Sequence, residues 1–197
     1  MSILIAMFSF SLVMSISPGP VNMVIVSSGA THGIRQTFPF VSGAVIGFTL
    51  LLLFVGLGFY KFVNTYPFFL NYVGIAGSMF IIYMGYMIAT SKPEIEIEER
   101  KRPTFPQGFL MQWLNPKAWL ASMAGVSIFS TPDSNLLFLK FSLVYFVVCY
   151  LSLFAWSVLG DKVTILLNSE SRIGYFNKVM GGLLVLTACF LLYSQFS

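Results

Sequence analysis

The sequence predicts an all-α integral membrane protein of six transmembrane helices, arranged as a 3+3 inverted repeat with the first helix of each half broken at proline. Three observations carry that expectation: an apolar composition, six separate runs of bilayer length, and proline interruptions at corresponding places in the first and fourth runs. Hydrophobic residues make up 57% of the chain and charged residues 9%, with a mean hydropathy of +0.84. Soluble domains carry about 25% charged residues, so no water-soluble fold could hide this much apolar surface.

A spanning helix needs roughly 20 mainly apolar residues. Runs of that kind fall at 3–30, 38–60, 68–90, 109–130, 136–159 and 173–193. Ionisable residues gather between them, at Arg35, Lys61, 92–102, Asp133, Lys140 and 161–172. Barrel strands would be about ten residues long and polar at alternate positions, which these runs are not. The first run lacks a basic flank and an Ala-x-Ala-like cleavage site, so it is expected to stay rather than be removed as a signal peptide. The chain reads as one transmembrane domain: a first half at 1–90, a solvated acidic-basic linker at 91–107 and a second half at 108–197. Three crossings per half is an odd number, so homologous halves would insert with opposite orientation.

Lys and Arg in short loops set topology. If all six runs cross, Arg35, Lys92, Arg100, Lys101, Arg102, Lys162, Arg172 and Lys178 share one side, against Lys61 and Lys140 on the other. The richer side is expected to be cytoplasmic, which puts both termini outside the cytoplasm of a bacterial inner membrane.

Broken helices in matching positions of two halves point to a transport site near the midplane. Freed backbone groups are tolerated inside a bilayer only where protein or a wet cavity satisfies them. In the first run, Ser17-Pro18-Gly19-Pro20 strips donors from the carbonyls near Met14 and Ile16, while Gly19 allows a sharp turn or a close approach. Ser17 is expected to cap a restarted helix with Pro20 in its first turn, and Asn22 sits one turn in. Such a helix start favours an anion, for example an amino-acid carboxylate, and freed carbonyls could hold an ammonium group. In the fourth run, Pro116 frees the carbonyl near Gln112, and Asn115 can cap or donate to substrate. Lys117 carries a formal charge well inside a span, at an insertion cost of roughly 3 kcal/mol. It either serves the break directly or snorkels to the interface.

The remaining polar and small residues receive plainer readings. Gly43-x-x-x-Gly47 and the Gly74, Gly77 and Gly85 series suit close helix packing, within the chain or in a homo-oligomer. Tyr83 and Tyr86 are candidates to line a cavity, and Tyr60, Tyr66, Tyr72, Tyr175 and Tyr193 to anchor at the interface. His32 is read as a solvated loop residue, and Asp161 and Lys162 as the end of the fifth helix. Cys149 and Cys189 form no Cys-x-x-Cys pair and read as packing residues, so no cofactor or metal site is expected.

At these residues the chain resembles the LysE/RhtB family of amino-acid exporters over essentially its whole length. The likeness rests on Ser-Pro-Gly-Pro followed by Asn22, the turn from Gly29 to Arg35, Gly77 to Tyr86, Asn115-Pro116-Lys117, and Gly181-Gly182. It implies export of amino acids or related metabolites driven by the proton-motive force. Many family members carry an acid after the glycine of the second helix, where Phe48 stands here, and another in the fifth, near Cys149. Those departures favour a neutral, zwitterionic amino acid, or facilitated efflux, over export of lysine or arginine, which would call for an internal carboxylate.

The expected partners are thus a small amino-acid substrate and membrane lipid, with no nucleic acid. The expected substrate-binding set is Ser17, Pro18, Gly19, Pro20, Asn22, Gln112, Asn115, Pro116 and Lys117. An intramembrane enzyme would need a catalytic pair, and the runs hold neither His nor Asp near their centres. The alternative reading is a membrane scaffold or assembly protein, or a thiol electron-transfer relative without its cysteine pair.

Overall fold

The computed structural model describes residues 2–66, 68–90, 102–130, 135–167 and 169–196. Among them all regular structure is helical, in the order α1 (Ser2–Ile16), α2 (Pro20–Phe54), a π-helical turn (Val55–Phe59), α3 (Tyr60–Thr65), α4 (Phe69–Ala89), α5 (Phe105–Trp113), α6 (Pro116–Phe129), α7 (Leu136–Leu167) and α8 (Glu170–Phe196). Both expected breaks are present, between α1 and α2 and between α5 and α6. Linker residues 91–101, with Lys92, Arg100 and Lys101, and also Asp133, lie outside the described residues.

By length and composition four stretches can cross a membrane: Pro20–Phe59, Asn71–Ala89, Leu136–Val163 and Ser171–Tyr193. The first is not one straight rod. Gly33 has φ +76° and ψ 171°, a conformation that favours glycine, and it divides α2 into arms at 20–32 and 34–54. Ser28 and Thr37 hydroxyls meet at 2.8 Å across that corner. Nine residues of straight helix would separate them by about 13 Å, so the arms fold back on each other.

Several boundaries depart from the sequence expectation for local reasons. Helix α5 starts at Phe105 because Thr104 and Gln107 form a capping box and Pro106 falls in the first turn, where proline is tolerated. Helix α7 continues to Leu167, so Asp161 and Lys162 lie within it and not at its end. It is held there by the α2 corner: a Cβ on Gly160 would meet the Val26 carbonyl at 2.2 Å, and one on Gly33 would lie 3.4 Å from Asp161 Oδ1. His32 is helical and half-buried beside that corner, not a loop residue. Tyr83 and Tyr86 are exposed on α4 and turn away from the interior, which overturns their cavity-lining reading.

Helices in lipid gain little from hiding apolar surface, so contact depends on small residues that let backbones approach. The second arm of α2 lies on α5 through Gly43 against Phe105, Gly47 against Phe109 and Gly108 against Phe40. Helices α4 and α8 meet at Gly85 and Gly181, each against the other's carbonyl. Between the helices sit Phe40, Phe138, Phe141, Met7, Ile25, Leu51 and Met84, all buried. Large apolar side chains such as Leu143, Leu151, Leu186 and Phe190 remain exposed around the outside, as a lipid-facing surface requires.

Gly77 is the tightest of these contacts, since a Cβ there would fall on the Leu114 carbonyl oxygen at the second break. Gly77→Val is expected to lower detergent thermal stability by about 3 kcal/mol, the upper end for overpacked cores. Gly182→Ala, with open space around it, should melt like the wild type.

Candidate functional site

The first break is locked by its own side chains. Helix α1 keeps its ladder as far as the Ser17 amide, which donates to Val13 at 3.2 Å. Beyond it the proline rings end the ladder, and the orphaned carbonyls find other donors. Asn22 Nδ2 donates to the Ser15 and Ser17 carbonyls at 3.1 and 3.3 Å, Ser17 Oγ donates to Met14 at 3.3 Å, and Trp156 Nε1 donates to Ile16 at 3.3 Å. The freed carbonyls are therefore taken up internally. Helix α2 restarts with Gly19 as its cap, in an extended conformation at φ −169° and without a side-chain capping bond. Ser17 is not the cap. Its hydroxyl is engaged elsewhere.

The partner is Lys117. Its Nζ donates to the Ser17 carbonyl at 2.9 Å and to Ser17 Oγ at 2.8 Å, joining the two breaks across 100 positions of sequence. A Cβ on Gly19 would lie 3.4 Å from Lys117 Nζ, an ordinary contact, and the extended backbone there asks for no special angle. The lysine points inward to the first break, which rules out the snorkelling alternative.

The second break has the cap the sequence suggested. Asn115 Oδ1 accepts from the Lys117 amide at 3.1 Å, the Asn115 carbonyl accepts from Ala118 at 2.9 Å, and Pro116 occupies the first turn of α6. The Gln112 carbonyl, freed by Pro116, is taken by the Asn115 amide at 3.2 Å. Trp119 Nε1 donates to the Trp113 carbonyl at 2.7 Å and clamps the break from outside.

Between the breaks lies a cavity of about 40 Å3. Gly19, Asn22, Gln112, Asn115 and Lys117 line it. Asn22, Gln112 and Asn115 are buried, so their amides are held out of water. The N-terminal ends of α2 and α6 both open onto the cavity, and two positive dipole ends beside an ammonium group make it suited to an anion. Its volume accommodates a few waters, too little for an amino acid without movement of the walls. Pro18, Pro20 and Pro116 shape the breaks but do not line the cavity, and Ser17 acts through Lys117. Among the described residues no cluster of His, Cys, Asp and Glu could hold a metal.

A family model for LysE type translocators matches residues 12–195. The chain belongs to the LysE type translocator family. Curated relatives include the cysteine/O-acetylserine efflux proteins of Escherichia coli K12 and Shigella sonnei Ss046, each 29% identical over 137 residues, covering 69% of this chain and 70% of the relative. No solved structure matches the chain. As a LysE type translocator it is a multi-pass membrane transporter and not an enzyme.

Residues the sequence left out of the site complete the cavity wall, among them Ser15 on α1, Phe48 on α2, and Tyr145, Cys149 and Leu153 on α7. Phe48 stacks on Tyr145 with ring centroids 4.4 Å apart. Phe48 stands where the family resemblance puts one carboxylate and Cys149 lies near the place of the other, and both face the cavity. The available signal was spacing: Tyr145, Cys149 and Leu153 follow one another at i+4 on α7, the period of one helix face. Cys189, by contrast, is exposed on α8.

Two substitutions separate the supports of the breaks. Asn115→Ala removes one cap and is expected to cost about 1 kcal/mol of stability. Asn22→Ala strands the buried Ser15 carbonyl, takes one of two donors from the Ser17 carbonyl, and should cost roughly 2–3 kcal/mol. Thermal melts of the purified variants that reverse this order would refute the assigned roles.

Proposed function

We propose that this translocator exports small neutral, zwitterionic amino acids or related metabolites from the cytoplasm, by alternating access around the cavity between its two helix breaks. The observation that carries the reading is Lys117, a single ammonium group among the cavity-lining residues, with no lining Asp or Glu. An ammonium has three donors, and Ser17 takes two, leaving one for a substrate carboxylate. A cationic side chain would find no counter-charge there, which favours neutral substrates. The efflux relatives act on cysteine and O-acetylserine, small uncharged-side-chain compounds in keeping with this choice.

The packing supports six crossings in two inverted halves. Exchanging α1 with α5, the arms of α2 with α6 and α7, and α4 with α8 preserves the principal helix pairs. The contact of α2 with α5 answers that of α7 with α1, α2 with α8 answers α6 with α4, and α4 with α8 maps onto itself. Sidedness has support from Arg35 and Arg102, which line one hollow at the corner end of α2. We place that end in the cytoplasm and both termini outside it.

In proteoliposomes loaded with an amino-acid panel, small neutral amino acids should leave faster than lysine or arginine. Lys117→Ala should slow that efflux roughly ten- to a hundredfold, the worth of one charge-assisted hydrogen bond, with protein levels in the membrane unchanged. Wild-type efflux from Lys117→Ala, Asn22→Ala and Asn115→Ala alike would remove the site. Without a lining carboxylate, efflux is expected to be the same with and without an imposed pH gradient. A C-terminal reporter active only in the cytoplasm should stay silent.

A further inference from the structure

One wall of the cavity has chemistry that the helix breaks do not use. Ser15, Tyr145 and Cys149 line it from α1 and α7. Ser15 stands beside the Tyr145 hydroxyl and the Cys149 thiol. Several helical serines and threonines elsewhere in this chain return their hydroxyl to the carbonyl four residues back, as Ser11 does to Met7, Ser78 to Gly74, Ser142 to Phe138 and Thr49 to Val45. Ser15 does not: its buried Oγ faces the Tyr145 hydroxyl and the Cys149 thiol without an aligned hydrogen bond to any partner, and the residue is 7% exposed. The Ser122 and Ser157 hydroxyls and the Trp113 indole nitrogen are also unpaired among the described residues, but none of those residues lines the cavity. A buried hydroxyl without a partner is costly, and a ligand that supplies the partner recovers that cost.

Resting on the export reading above, we propose that Ser15, Tyr145 and Cys149 form the subsite for the substrate's side chain, and that this subsite selects a short uncharged side chain ending in a hydrogen-bonding group, such as a hydroxyl or thiol. Lys117 and the two helix starts hold the α-carboxylate. Phe48, stacked on Tyr145, and Leu153 bound the same wall with apolar surface and leave no charge to meet a cationic or acidic side chain. The hydroxyl of Ser15 then discriminates between substrates that differ by one polar atom, because the competitor without that atom leaves Ser15 unpaired.

The test is a selectivity ratio, because a purely structural role would slow all substrates together. Proteoliposomes carrying wild type, Ser15→Ala, Tyr145→Phe or Cys149→Ala are loaded with serine, cysteine or alanine, and efflux rates are compared. Ser15→Ala and Tyr145→Phe, which keeps the ring stack, are each expected to lower the serine-to-alanine ratio by about fivefold, the worth of one hydrogen bond. Equal slowing of serine and alanine, or an unchanged ratio, overturns the subsite while leaving export intact. Wild-type vesicles that release none of the three overturn the export reading itself. A second measurement is independent of turnover: serine should raise the melting temperature of the purified wild type more than alanine does, and Ser15→Ala should remove that difference. Equal stabilisation by the two counts against the subsite.

Discussion

An ammonium group inside a bilayer-spanning bundle has to find oxygen atoms, because the hydrocarbon around the bundle offers none. Lys117 finds them in the carbonyl and hydroxyl of Ser17, and the rest of the site depends on that bridge. A carbonyl in the middle of an intact helix would already be bonded to the amide four residues on. Ser17 can serve because Pro18 and Pro20 end the ladder there. The lysine is delivered by the other break, where Asn115 caps the turn that begins at Pro116. Each interruption is thus a condition for the other: one supplies the acceptors and the other supplies the charge.

Holding two broken helices at that spacing requires neighbours that come unusually close. Gly77 lets α4 rest on the Leu114 carbonyl. Gly29 and Gly160 bring the first arm of α2 against α7, the helix that carries Tyr145 and Cys149. The cavity is a product of these approaches. Aromatic rings fill what the glycines leave, with Phe59, Phe69, Trp113 and Trp119 in mutual edge and tilted contacts beside the second break.

Legibility in the sequence followed the range of the interaction. The Asn115 cap and the proline in the first turn of α6 are contacts over two or three residues, and residue types alone specify them. The Ser17 cap failed as an expectation although its logic was equally local, because Lys117, 100 residues away, captures the hydroxyl. Asn22 was placed correctly near the break, yet its role as a brace for the Ser15 and Ser17 carbonyls depends on the angle at which α2 restarts. Tyr83 and Tyr86 read as cavity residues because aromatic hydroxyls suit both a wet pocket and a lipid interface, and only the rotation of α4 distinguishes the two. Ser15, Tyr145 and Cys149 were passed over for the converse reason: isolated polar residues in apolar runs resemble ordinary packing.

By itself the sequence determined a helical membrane chain, the two interruptions and their proline and asparagine chemistry, since composition, run length and missing amide hydrogens act without reference to distant residues. It also contained the lysine that has to be satisfied. Only the tertiary structure decided where that charge goes, which α7 face completes the cavity, and that Gly33 folds α2 back on itself. Those outcomes depend on distances between helices far apart in sequence, and in lipid such distances are set by the close fit of small residues, which no local pattern encodes.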